Sequence, residues 1–295
     1  SRGIIEGIDY VRTLGNIQDT AELNKTLEAQ KKLFKGRELA GKTLGVVGLG
    51  AIGSMVAEMA LTMGMDVVGY DPALSVEAAW RLSSQVRKAD TLSALFGRCD
   101  FITLHLPVLD STRGLINAEL LSSTREGTCL LNFARQEIVD EEALVQALDG
   151  DKLRKYIADF PSPALIGRDN VILMPHIGAS TDEAEDNCAI MAANQLKDFL
   201  ENGNIRNSVN FPNLSLERVS GCRLSVTNEN VPKILGSVLS ILADENINVI
   251  DMLNKSRNDI AYNLIDVVGH TSDEVLDKMR ALEGVVNVRM IGDCA

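Results

Sequence analysis

Residues 43–53, TLGVVGLGAIG, restrict this chain more than any other stretch. A short apolar run ends in Gly48-Leu49-Gly50-Ala51-Ile52-Gly53, and an apolar-periodic segment, SMVAEMALT, follows it. The pattern predicts a strand over Thr43–Val47, a tight glycine turn, and a helix from Ser54 to Thr62. Gly48 permits the turn, Gly50 lets a pyrophosphate approach the backbone, and Gly53 lets helix and strand pack closely. Ala51 and Ile52, within the turn, are expected to bind the cofactor with the glycines, ahead of a helix whose N-terminus favours the phosphate charge. The next apolar run, DVVGYDP, brings in Asp71, eighteen residues past Gly53. A carboxylate there accepts hydrogen bonds from an adenosine ribose diol and repels a 2′-phosphate. This predicts NAD rather than NADP as cofactor.

The rest of the first half repeats the texture. FITLHLP, TCLLNFA, KYIADFP and NVILMP read as strands, the first ending at Pro107, and segments such as EEALVQAL between them read as helices. Strands alternating with helices predict an α/β fold with a doubly wound parallel sheet of the Rossmann type. A helix is expected from about Arg2 to Leu14, an amphipathic segment around Leu23–Leu33, and a long helix over Thr181–Asn202. ENGNIRNSVNFPNLS loses periodicity and reads as a linker. Beyond it the pattern is strand, helix, strand, strand, helix, strand, a ferredoxin-like βαββαβ order. The predicted organisation is therefore a nucleotide-binding domain over 1–179, a returning helix and linker over 180–218, and a small domain over 219–295.

The chain carries 29 basic and 41 acidic residues, a net charge of −12, which argues against nucleic acid as a partner. No apolar run is long enough to span a membrane, so no membrane partner is expected. The five cysteines are scattered and lack metal-ligand spacing, so buried reduced thiols and a cytoplasmic address are expected. The three histidines are far apart, which argues against a histidine-rich metal site.

Chemistry-bearing residues fall where the predicted strands end. Arg135 follows TCLLNFA, and a guanidinium can clamp a carboxylate with two parallel hydrogen bonds. A surface salt bridge is the alternative. His176 follows NVILMP and can exchange a proton with a substrate hydroxyl, or else be a packed histidine bonded to a carbonyl. Asp159, in IADFP, is at a predicted strand end and can accept a hydrogen bond from a carboxamide or cap a turn before Pro161. His105, inside FITLHLP, is expected to be buried in the sheet, and His270 to lie on the surface.

GKTLGVVGLGAIG, LHLP with the later Thr112-Arg113-Gly114-Leu115-Ile116, NFARQEIVDEEAL and NVILMPHIGAST occur in that order. Together they resemble the D-isomer-specific 2-hydroxyacid dehydrogenases, and the last domain resembles an ACT domain. The resemblance implies that Arg135 binds the substrate carboxylate and keto oxygen and that His176 is the acid/base. It also implies that Asp159 holds the nicotinamide carboxamide of NAD, with Pro107 and Ala134 lining the cofactor. The substrate implied is a phosphorylated 2-hydroxy acid, 3-phosphoglycerate, oxidised to 3-phosphohydroxypyruvate at the head of serine synthesis.

Three departures from the family stand out. The glycine usually found after the arginine is Gln136. The glutamate that usually pairs with the histidine is missing from Asp159-Phe160-Pro161-Ser162-Pro163, so Asp182, Glu183 or another acid would have to stand in. The substrate-domain segment of relatives does not precede Ser1, so the chain is expected to bind NAD but turn over poorly alone. In the last domain Asn228, Asn230 and Asn248 match positions that bind serine between two copies in relatives. A homo-oligomer and an amino-acid effector follow from that match. Another D-2-hydroxyacid dehydrogenase, or a silent NAD-binding and amino-acid-sensing module, are the alternative functions.

Overall fold

A computed structural model of the chain describes residues 3–74, 76–219 and 221–292. The chain divides into two compact units, Ser1–Gly178 and Ala179–Ala295.

The first unit opens with α1 (Ile4–Thr13) and α2 (Thr20–Gln30), neither of which buries a residue. Arg2, the expected first residue of α1, lies outside the described residues. Asp19 caps α2 by accepting from the Glu22 amide at 2.9 Å. Then come β1 (Thr43–Val47), α3 (Ala51–Thr62), β2 (Asp66–Tyr70), α4 (Val76–Arg81), β3 (Arg87–Lys88), α5 (Leu92–Phe96), β4 (Phe101–Leu104), α6 (Ala118–Ser122), β5 (Thr128–Asn132), α7 (Glu141–Asp149), β6 (Leu153–Ala158) and β7 (Val171–Leu173).

The seven strands form one sheet in the order β3-β2-β1-β4-β5-β6-β7. All its pairings are parallel, from Thr43 opposite Asp66 on one side of β1 to Ala158 opposite Leu173 at the far edge. A parallel sheet must be covered on both faces. One covering layer contains Leu95, Phe96, Ile116, Leu121, Leu144 and Leu148, and the other contains Ala57, Ala60 and Met65. The order reverses between β1 and β4, and ligands of such sheets bind in the crevice at that reversal.

Two boundaries differ from expectation. α3 begins at Ala51, three residues before Ser54, because the glycine turn itself supplies the first helical turn. β4 stops at Leu104, three residues short of Pro107. Leu104 is the last residue of β4 with partners in β1 and β5, Val47 and Asn132, and beyond it Gly48 turns away with φ +90°. His105 therefore sits past the strand and is half-buried, although its amide still donates to the Val47 carbonyl at 2.8 Å.

The second unit contains α8 (Asp182–Asn202), β8 (Cys222–Glu229), α9 (Ile234–Asp244), β9 (Val249–Arg257), β10 (Ile260–Val267), α10 (Asp273–Arg280) and β11 (Val285–Ile291). Thr181 caps α8 through the Ala184 amide, and Gly203 ends it in a left-handed conformation. The four strands make an antiparallel sheet in the order β11-β8-β10-β9. The segment expected as a linker is instead built into this unit. Ile205 and Leu214 pair their backbones and are buried with Tyr262, Leu264 and Ile291. Arg223 ties the segment down from below: its guanidinium donates to the carbonyls of Asn202, Leu216 and Glu217 and, twice, to the Asp266 carboxylate.

The thiols correct a further expectation. Cys99 and Cys129 are free and buried, and burial pushes the Cys99 thiol up to about 12. Cys188 is free but exposed on α8, which buries no residue, and Cys222, which opens β8, is disulfide-bonded. Cys294 lies outside the described residues. Among the described residues no helix is long and apolar enough to cross a membrane.

Candidate active site

The glycine turn follows β1 at the reversal of strand order. Gly48 donates its amide to the Tyr70 carbonyl at 2.9 Å and takes φ +90°. A Cβ on Gly48 would stand 2.5 Å from the His105 carbonyl oxygen, and one on Gly53 would stand 1.9 Å from the Gly48 oxygen. Both positions are therefore closed to any side chain by the protein itself. Gly50 is different, since a Cβ there would meet nothing within 4 Å. It caps α3 with extended backbone, and among the described residues no side chain makes a capping bond there. The result is an open cradle of N–H groups shaped for an anion, which fits the pyrophosphate of a dinucleotide.

Asp71 stands just past β2. Its Oδ2 accepts from the Leu49 amide at 2.8 Å and its Oδ1 from the Ala73 amide at 2.9 Å. The carboxylate thus fixes the glycine turn. Each oxygen keeps a second lone pair for a diol. Past β4, Pro107 is exposed and its carbonyl accepts from the Thr112 hydroxyl at 2.7 Å. His105 lies beside the turn with its Nε2 3.0 Å from the Thr103 hydroxyl, and burial pushes its pKa down.

Past β5 the chain makes a turn that sequence reasoning did not assign. Asn132 is fully buried; its Oδ1 accepts from the Ala134 amide at 3.1 Å and its Nδ2 donates to the Arg135 carbonyl at 2.9 Å. The same Nδ2 lies 3.2 Å from the hydroxyl of Tyr156, whose pKa burial pushes up to about 12. Asn132 therefore sets the shape of the loop that presents Ala134 and Arg135. The signal was available: an asparagine closing an apolar strand is a turn-former through its side chain. Arg135 is exposed and its guanidinium rests on the Ala134 carbonyl at 2.7 Å. No acid holds it in the described structure.

Past β6 and β7 stand Asp159 and His176. Asp159 is buried, and its Oδ2 lies 2.9 Å from His176 Nδ1. The imidazole is exposed, its residue adopts φ +53°, and the Phe160 ring packs against it at 5.0 Å. β5, β6 and β7 are consecutive in the sheet. Arg135, Asp159 and His176 thus follow three neighbouring strand ends, each roughly 5 Å from the next.

The asparagines of the second unit do not converge. Asn228 is buried: its Nδ2 donates to the Glu229 carbonyl and its Oδ1 accepts from Asn263 at 2.7 Å. It is spent on cross-strand bonding and is not open to a ligand. Asn230 is exposed and donates to the Asn258 carbonyl. Asn248 lies at the other end of the sheet. The Asn230 amide bonds Asp259, whereas the Asn248 carbonyl accepts from Val268. At 3.4 Å per residue those levels are roughly 30 Å apart.

Residues 8–178 match the family model described as the D-isomer specific 2-hydroxyacid dehydrogenase, NAD binding domain. The chain is 35% identical over 273 residues to the D-3-phosphoglycerate dehydrogenase of Haemophilus influenzae, covering 88% of this chain and 65% of that protein. It is 40% identical over 206 residues to the D-3-phosphoglycerate dehydrogenase of Synechocystis, covering 68% of this chain and 37% of that one. The structure of NAD+-bound 3-phosphoglycerate dehydrogenase from Entamoeba histolytica aligns with a TM-score of 0.52 at 36% identity, over 60% of this chain and 57% of that one. The chain thus spans less than two thirds of the length of each of these relatives. With a glycine cradle on an order-reversing parallel sheet and a family match over residues 8–178 of the first unit, the chain belongs to the D-isomer specific 2-hydroxyacid dehydrogenases, through their NAD-binding domain.

Proposed function

We propose that this chain serves the NAD-dependent oxidation of 3-phosphoglycerate to 3-phosphohydroxypyruvate. The observation that carries the reading is the succession of Arg135, Asp159 and His176 past adjacent strands of the sheet that holds the glycine cradle. The names of the relatives support the choice of substrate.

NAD held at the glycine cradle would supply the acceptor for the hydride leaving C2 of the substrate. The residues of the chain do the rest. His176 presents Nε2, opposite the nitrogen that meets Asp159, and takes the proton of the C2 hydroxyl. Arg135 leaves the Ala134 carbonyl to grip the substrate carboxylate and the forming carbonyl oxygen. Its charge is worth most where negative charge builds on that oxygen. Asn132 keeps the arginine loop in shape, and Asp71 keeps the glycine turn in shape.

Formation of NADH, followed by absorbance with 3-phosphoglycerate, D-glycerate and D-lactate in parallel, tests the reading. Arg135→Ala and His176→Ala are each expected to lower kcat by about 10²–10⁴-fold. Rates that survive both changes, or that favour lactate, contradict it.

For the second unit we infer an ACT-like module. Numbered within the unit, its strands stand in the order 4-1-3-2, which supports a ferredoxin-like sandwich. Asn230 and Asn248 lie too far apart to share one small ligand within one copy. An amino-acid effector such as serine would therefore sit between two copies, which favours a homo-oligomer. The half-exposed apolar side chains Ile4, Ile5, Ile8 and Val11 on α1 support association through the first unit as well.

A further inference from the structure

We propose that a cavity between α1 and the N-terminal ends of β5 and β6 binds a small phosphate dianion, either free or as a small monoester. The site stands apart from the dehydrogenase reading. Arg154, its central cation, is the second residue of β6, whereas Asp159 follows the other end of that strand. Along the strand the two are roughly 15 Å apart.

The cavity exists because β6 is irregular. Its volume is about 200 Å³, with Phe101, Cys129, Arg154 and Lys155 on the sheet side and Glu6 and Lys35 on the other. Consecutive residues of a regular strand point to opposite faces. Here Thr128 stands opposite Leu153 but Cys129 stands opposite Lys155, so Arg154 is one residue extra. Such a bulge re-aims side chains. Arg154 and Lys155 are neighbours in the chain and yet line the same cavity.

The charges of the cavity do not balance. Lys155 is answered, since it pairs with Glu6 and thereby holds that carboxyl below the usual carboxylate range. Arg154 is half-buried and is not answered. Its one hydrogen bond among the described residues runs from Nη2 to the Cys129 sulfur at 3.1 Å, and a thiol is a weak acceptor. Its Nε is closed to water and has no partner. No carboxylate among the described residues pairs with Arg154 or with the exposed Lys35, and Glu6 is the one described acid that lines the cavity. A half-buried charge without a counter-charge is costly, so the site calls for an anion. Two cations left over match a dianion, and the fork of a guanidinium suits phosphate oxygens. The volume restricts the ligand to a phosphate with at most a small organic part. The chain as a whole carries a net charge of −12, so its surface at large repels such a ligand. An anion bridging Arg154 and Lys35 would tie the sheet to the segment after α2. It would also hold down α1, which buries no residue of its own.

The test uses the 295-residue chain and a local readout, so that phosphate bound elsewhere does not count. Amide hydrogen exchange is followed in α1 and β6, in sodium phosphate and in sodium chloride of equal ionic strength. Calorimetric titration gives the affinities of inorganic phosphate and of glycerol phosphate. At phosphate ten times above its dissociation constant, exchange in α1 and the first half of β6 is expected to slow by up to about tenfold relative to chloride. Arg154→Gln should abolish that slowing, weaken phosphate binding by about tenfold or more, and leave NAD affinity unchanged. Lys35→Gln, at an exposed side chain, should weaken phosphate binding by about two- to fivefold. Tighter binding of glycerol phosphate than of inorganic phosphate supports the site as one for a monoester, and the reverse order supports it as one for the free ion. Equal exchange in phosphate and chloride overturns the proposal, and so does slowing that survives Arg154→Gln. Circular dichroism checks that the variants are folded. If Arg154→Gln does not fold, Lys35→Gln decides, and unchanged phosphate affinity there overturns the proposal.

Discussion

Gly50→Ala is expected to leave the chain folded and to weaken NAD binding by about 100-fold, nearly 3 kcal/mol. The added methyl meets no protein atom within 4 Å, and the backbone at Gly50 is ordinary for an L-residue. Its own cost to stability should stay within about 1 kcal/mol. The methyl would stand where the pyrophosphate must approach the helix amides. Gly53→Ala makes the contrast, because its Cβ would lie 1.9 Å from the Gly48 oxygen and α3 would have to move. That variant should lose both NAD binding and about 1–3 kcal/mol of stability. Calorimetric titration beside thermal unfolding separates the two. Equal NAD affinity in Gly50→Ala and the unmodified chain would mean that the turn is a structural feature with no ligand.

The second large effect belongs to the other unit. Asp266→Ala is expected to destabilise it by about 3–5 kcal/mol, because it strands the guanidinium of Arg223 without a counter-charge. Both partners are at most 2% exposed, and the pair is bidentate at 2.6 and 2.7 Å. Arg223 also supplies the donors for three carbonyls of the connecting segment, so losing its position loosens residues 202–217. Amide hydrogen exchange in β8 and β10 should speed up by about 10²–10³-fold or more, while β1 and β4 keep their protection. A change below about 1 kcal/mol would show that water reaches the pair on its own.

What the sequence disclosed, and what it hid, follows the range of the interactions involved. β1 lies where apolar residues and glycines put it, over Thr43–Val47, and α8 starts behind its Thr181 cap, because both signals are local. The strand-helix order of the second unit was readable for the same reason. α4, α5 and α6 are five or six residues long, too short to show a helical period. The partner of His176 was hidden because it depends on β6 and β7 lying side by side. The sequence offered Asp159 for the cofactor and left the histidine without an acid; the structure brings the two together. Asn228 was misread because its amide meets Asn263 across a strand pair whose register no local pattern reveals. Ile205 and Leu214 sit in a stretch whose Asn, Gly and Pro content reads as loop, yet their burial comes from β10 and β11, far along the chain.

Everything rests on the first unit taking up a dinucleotide through the glycine turn and reading its ribose with Asp71. Isothermal titration of the unmodified chain with NAD and, separately, with NADP measures this most directly. One NAD is expected to bind per chain, with NADP weaker by at least about tenfold, because a 2′-phosphate would stand against the Asp71 carboxylate. No heat of binding from either, or equal affinity for both, would contradict it.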